Sequence, residues 1–116
     1  MTTNTFECCD PWFTYIKEGK KVVEGRLDSN KYKKLTINSY ITLYDAKDEN
    51  DFIVVRIMDI VKYKSFRDMI ETETLNKVLP DIDTIDDGVA VYRQFYSEKI
   101  EKDKGVIAIH IKVVKE

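Results

Sequence analysis

The chain has 116 residues, enough for one domain with a core of its own and too few for two. With 43% hydrophobic and 34% charged residues, it is neither a disordered tail nor a fibre. Its two cysteines, Cys8 and Cys9, are neighbours, which excludes a disulfide scaffold, and a net charge of −2 argues against a dedicated high-affinity nucleic-acid binder. Met1 to Phe6 lacks the basic flank and apolar stretch of a signal segment, and no window approaches the roughly 18 apolar residues of a membrane helix. The expectation is an intracellular protein without a membrane partner.

Asp10 as N-cap, Pro11 at the first helical position and Gly19 past the last turn frame a helix over Pro11 to Glu18, with Trp12, Tyr15 and Ile16 on one face. Val22 and Val23 favour a strand over Lys21 to Leu27, closed by the polar turn Asp28-Ser29-Asn30. Tyr40 to Tyr44 and the β-branched run Phe52 to Tyr63 form a hairpin around the acidic loop Asp45 to Asp51. Ser65 and Asp68 are spaced as a helix cap ahead of Phe66, Met69 and Ile70, and a second short helix through Leu75, Val78 and Leu79 stops at Pro80. Thr84 and Asp87 repeat the capping spacing before Ile85, Val89, Tyr92 and Tyr96, the clearest amphipathic stripe, predicting a helix from Thr84 to Tyr96. Gly105 opens a last strand, Val106 to Val114, where Ile107, Ile109, Ile111 and Val113 alternate with a mixed face. Strands and helices are not regularly interleaved. The predicted class is therefore α+β, a small antiparallel, partly closed β-barrel flanked by short helices, as one domain over residues 1–116.

Charge is unevenly placed. Lys17 to Lys34 carries a local balance of +4, and Asp68 to Asp87 one of −6. The first face tolerates phosphates, and the second suits a basic protein partner. Within the basic segment, Gly19-x-Lys21-x-x-Glu24-x-Arg26 brings an amine, a carboxylate and a guanidinium close together. In a regular strand Glu24 and Arg26 share a face, while Lys21 points away unless it lies in a turn or bulge. From spacing alone, the group is either a surface ion-pair ladder or a site. No zinc spacing involves Cys8 and Cys9, His110 has no evident partner, and phosphate-loop, dinucleotide and serine-elbow motifs are missing, so neither metal nor cofactor is expected.

The stretch Trp12-x-x-x-Ile16-x-x-Gly19-x-Lys21-x-x-Glu24-x-Arg26 resembles the signature of the ASCH domain (activating signal cointegrator homology). Val91 to Ser97, followed by Glu98, Glu101 and Gly105 to Ile109, is similar to the family's C-terminal part, so the resemblance spans nearly the whole chain. It implies a PUA-like barrel with helices around a cleft that binds RNA or nucleotides. Lys21, Glu24 and Arg26 fall on the signature positions, and Tyr92, Tyr96 and Ser97 on the tail lining the cleft. Some members resemble amidohydrolases that act on a modified cytidine through a Lys and a Thr of this motif; here Glu24 replaces that Thr. Others resemble ribonucleases.

The leading expectation is an RNA-binding or RNA-processing module whose cationic cleft recognises a single-stranded nucleotide. Lys21, Glu24, Arg26, Tyr92, Tyr96 and Ser97 would contact ligand, and Lys31, Lys33 and Lys34 would track the phosphate backbone. The alternatives are a hydrolase of a modified nucleoside or of RNA, with Lys21 and Glu24 catalytic, and a protein-interaction module using the acidic face. Tyr92 and Tyr96 also extend the core stripe, and Ser97 could equally cap a helix end.

Overall fold

The computed structural model describes residues 4–114; the first three residues of the Met1 to Phe6 segment lie outside them. In chain order the elements are β1 (Asn4–Cys8), α1 (Trp12–Lys17), β2 (Val23–Leu27), a single 3-10 turn (Asn30–Tyr32), β3 (Tyr40–Asp45), β4 (Asp48–Tyr63), α2 (Phe66–Glu73), α3 (Leu75–Val78), α4 (Ile85–Arg93), α5 (Glu98–Lys104) and β5 (Val106–Val113). One five-stranded sheet runs in the order β1-β3-β4-β5-β2. The four strands read from the sequence pair antiparallel, and β1 adds a parallel edge on β3, with Cys8 opposite Asp45.

The sheet has to curl. Sixteen residues of β4 would span about 50 Å if straight, yet the longest dimension of the molecule is 36 Å. The strand bends through a register shift between Ile57 and Asp59. The result is a half-barrel whose free edges, β1 and β2, approach each other without forming a ladder. β5 is buried on both faces. Ile107, Ile109 and Ile111 enter a core with Phe13, Ile41 and Val55, while Val106 and Ala108 join a second core with Phe66, Met69 and Tyr92 under the helices. Gly25 of β2 makes that helix layer fit, since an added Cβ would lie 2.6 Å from Met69 Cε and 2.7 Å from the Tyr92 hydroxyl.

Several boundaries differ from the sequence reading. The first helix starts at Trp12 with Pro11 at the cap position, although Asp10 still accepts from the Thr14 N–H at 3.1 Å. β2 begins at Val23, so Lys21 precedes the strand. Most of the expected acidic loop belongs to the hairpin strands, leaving Ala46 and Lys47 between β3 and β4. The helix predicted to reach Tyr96 ends at Arg93, because Ser97 starts a new helix by accepting from the Ile100 N–H at 3.2 Å. That helix, α5, carries a buried carboxylate: Glu101 accepts from the Phe66 N–H at 2.8 Å and from Arg93 at 3.0 Å, tying α5 to α2 and α4.

Replacing Glu101 with Ala would leave the buried Phe66 N–H unpartnered and Arg93 without its ion pair. Urea unfolding should show a loss of about 2–3 kcal/mol, with the strand content of the folded state unchanged.

Candidate functional site

A cavity of about 520 Å³ opens where the free edges of β1 and β2 face each other. Its walls come from β1 (Thr5 to Cys8), from Trp12, from Lys21 to Arg26, and from the end of α4 with the turn after it (Val91, Tyr92, Phe95, Tyr96). Such a volume suits a nucleotide-sized ligand.

The floor is an ion cluster. Lys21, 2% exposed, turns inward because it lies in the coil before β2 rather than in the alternating strand. Its ammonium donates to the carbonyls of Val23 (2.6 Å) and Val78 and sits 3.5 Å from Glu24 Oε1. Arg26 donates to Glu24 Oε2 at 3.2 Å, to the Tyr32 hydroxyl at 3.0 Å and across the seam to the Glu7 carbonyl at 2.9 Å. The Cys8 thiol faces Glu24 Oε2 at 3.7 Å. Burial by itself would raise the Glu24 carboxyl, but the Lys21 and Arg26 charges outweigh it and hold it below the usual carboxylate range. Burial lowers the Lys21 ammonium against the opposing pull of Glu24. It raises the Cys8 thiol, helped by Glu24, so Cys8 stays protonated.

Aromatic side chains form the walls. Phe66 lies parallel to both Tyr92, at 4.1 Å between centroids, and Tyr96, at 5.5 Å. Tyr92 is buried, and its hydroxyl lies beside Gly25 with no aligned hydrogen-bond partner among the described residues. Tyr96 is half-buried, and Phe95 is 53% exposed at the rim. Lys31 reaches the cavity over the rings of Tyr32 (5.2 Å) and Phe6 (5.9 Å).

The structure thus gathers Lys21, Glu24, Arg26, Lys31, Tyr92 and Tyr96 in one cleft. It does not bring in the others. Ser97 caps α5, and Lys33 and Lys34 are exposed outside the cavity. Lys21 and Arg26, expected to meet phosphate, spend their donors on protein acceptors. The acidic face has local partners as well. Asp68 and Asp87 stand in first helical turns, Asp86 pairs with Arg67 at 2.6 Å, and Asp81 accepts from Tyr15. His110 is on β5, 2.9 Å from Glu73, close enough for an ion pair on protonation though not aligned for a hydrogen bond. Among the described residues no cluster of His, Cys, Asp or Glu could hold a metal ion, and no helix is long and apolar enough to cross a membrane. Sequence reasoning missed Phe6, Glu7 and Cys8 as cleft residues. Their only signal was the alternation Phe6-Glu7-Cys8, too short to read as a strand.

Comparison with known proteins agrees with this architecture. The ASCH domain profile matches residues 7–115. The chain is 34% identical to hypothetical protein PH0355, covering 97% of this chain and 100% of that one, with a TM-score of 0.85. It is 33% identical to protein PF0455 from Pyrococcus furiosus, covering 99% and 100%, with a TM-score of 0.78. A ZmASCH mutant protein from Zymomonas mobilis shares the fold at 14% identity and a TM-score of 0.65, over 93% of this chain and 66% of that one. No curated protein matches.

Two predictions follow from the ion cluster. Lys21→Met leaves Glu24 with Arg26 as its remaining cation and two carbonyls without their donor, so denaturant unfolding should show a loss of about 1–3 kcal/mol. Because the folded Glu24 pKa is depressed, its contribution is full above the unfolded carboxylate value of about 4.3 and is lost as pH falls through the folded value. The stability gap between the wild type and Glu24→Gln should be constant from pH 7 to about 5 and shrink below that. A gap independent of pH would show that folding leaves the Glu24 pKa unshifted.

Proposed function

Because the chain belongs to the ASCH domain family, we propose that it is an RNA-binding module whose cleft takes one nucleotide of a single strand. ASCH domains are RNA-binding in character as a class. The observation that carries the reading here is a polar floor of two cations around one carboxylate beneath aromatic walls in a cavity of about 520 Å³. Single-stranded bases are held by stacking on aromatic faces and by hydrogen bonds to their edges, and the cleft offers both. Tyr96 and Trp12 are the stacking surfaces, Tyr92 backs the wall behind them, Glu24 is the edge-reading group, and Arg26 the brace that holds Glu24 in place. Lys31 at the mouth meets a phosphate, with Lys33 and Lys34 continuing along the backbone.

The hydrolase alternative draws support from the lowered Lys21 pKa, since a base must be able to lose its proton near neutral pH. Against it, the Lys21 donors are held by Val23, Val78 and Glu24, and Glu24 is itself too acidic to take the proton. Binding without turnover is the better-supported reading. Three of the seven carboxylates of the acidic face, Asp68, Asp86 and Asp87, stand in helix first turns, and Asp86 also pairs with Arg67, which favours the cleft over a basic protein partner on that face.

Trp12, the chain's sole tryptophan, lines the cleft and reports occupancy directly. Titration with short single-stranded RNA should quench its fluorescence. Contact of Lys31, Lys33 and Lys34 with phosphates gives a log K against log salt slope of about −2, and Lys31→Glu flattens it. Tyr96→Ala should weaken binding by about 1–3 kcal/mol at every salt concentration. No quenching at low salt by any RNA or nucleotide would sink the proposal, and a product mass change on incubation would return the hydrolase reading.

A further inference from the structure

The cleft wall carries an aromatic face that a single bound nucleotide does not use. Tyr96 keeps one ring face against Phe66, parallel within 10° at 5.5 Å between centroids, so only its other face is open to a base. Phe95 cannot complete a sandwich over that face. Its ring stands 6.3 Å from that of Tyr96 and is inclined by 52°, whereas stacked π-systems lie parallel. It is part of neither core, lines the cavity and is 53% exposed, more than any other large apolar side chain of the cleft wall. The turn that carries it is fixed. The Phe95 and Tyr96 N–H groups both donate to the Tyr92 carbonyl, at 3.0 and 2.9 Å, and Arg93, held by Glu101 at 3.0 Å, donates to the Tyr96 carbonyl at 3.4 Å. An exposed ring on a rigid turn loses little conformational freedom when a partner covers it.

We infer that Phe95 is the stacking platform for a second base, that of the nucleotide adjoining the one in the cleft, so that the unit recognised is a dinucleotide with its bases splayed. This rests on the cleft being a nucleotide site. A base on the open face of Tyr96 and a base on Phe95 follow ring planes 52° apart, so the two cannot stack on each other. Single strands are recognised by such unstacking, in which each base exchanges its neighbour for an aromatic side chain. A continuous base stack, as in a duplex, would meet only one of the two planes, which directs this pair of rings to single strands. A phenyl face carries no hydrogen-bond donor or acceptor, so the platform takes any base. Lys31, lining the same cavity, is the cation for the phosphate that joins the two nucleotides.

The experiment is a Trp12 fluorescence titration at one ionic strength with uridine 5′-monophosphate (UMP), the dinucleotide pUpU, and two analogues of pUpU in which one or the other nucleotide is abasic. Uracil is the base of choice because its bases stack weakly on one another. The dinucleotide should bind about tenfold more tightly than UMP, and each abasic analogue, which keeps every phosphate, should fall about tenfold below pUpU. Phe95→Ala, whose unliganded melting temperature should match the wild type because the ring belongs to neither core, should reduce the ratio of pUpU to UMP affinity to about twofold or less, and Phe95→Tyr should retain it. Equal affinity for UMP and pUpU, an abasic analogue as tight as pUpU, or a Phe95→Ala variant that keeps the wild-type ratio would overturn the second platform and leave a cleft for one nucleotide. Silence toward every ligand would remove this inference and the RNA-binding reading together.

Discussion

The cleft and the half-barrel depend together on one buried chain of charges, Lys21–Glu24–Arg26. A lone carboxylate in that position would be strongly disfavoured by the loss of its hydration. Two cations, two backbone carbonyls and a thiol make the cluster tenable, and Arg26 extends it across the seam to β1. The barrel edge that a backbone ladder would have closed is closed instead by a side chain. That substitution leaves room for a cavity, since a guanidinium spans a gap that two paired strands would fill. Stability and site are built from the same atoms, and this is why the motif Gly-x-Lys-x-x-Glu-x-Arg is compact in sequence.

Much of the fold was legible because its elements carry redundant signals. β5 announces itself through Ile107, Ile109 and Ile111, and α4 through Thr84, Asp87 and the stripe from Ile85 to Tyr92. β1 was not legible, because five residues with two polar ones on the exposed face give no period to detect, and a parallel edge on β3 arises only from tertiary pairing. α5 was missed for a related reason. Its sequence, Glu98 to Lys104, is almost wholly charged, and the residue that anchors it, Glu101, is a buried carboxylate that composition counts as surface.

The site was legible by residue type and less so by role. Strand alternation left Lys21 pointing away from Glu24, and the conflict resolves because β2 starts two residues later than the valines suggested. Lys21 and Arg26 read as free cations from sequence, yet the fold engages their donors internally, and Lys31 stands at the mouth. Spacing cannot distinguish a cation that waits for phosphate from one that balances a buried acid; only the partner's depth does. Tyr92 and Tyr96, ambiguous as core or cleft, divide along the helix end. The one inside α4 is buried, and the one beyond Arg93 is half-buried where the chain turns.

The unladdered seam also governs how the molecule breathes. β4 and β5 are held on both sides, whereas β1 and β2 each have a single strand neighbour and are joined by side-chain contacts, Arg26 to the Glu7 carbonyl and the Cys8 thiol to Glu24. Opening there breaks side-chain contacts and leaves every ladder intact, so the rim is expected to exchange its amide hydrogens through smaller openings than the central strands. Under the proposed function, a ligand lodged in the cleft would cross that gap and act as a rung between β1 and β2. Occupancy would then add to the cohesion of the whole sheet, about 2.7 kcal/mol at a hundredfold over Kd by mass action.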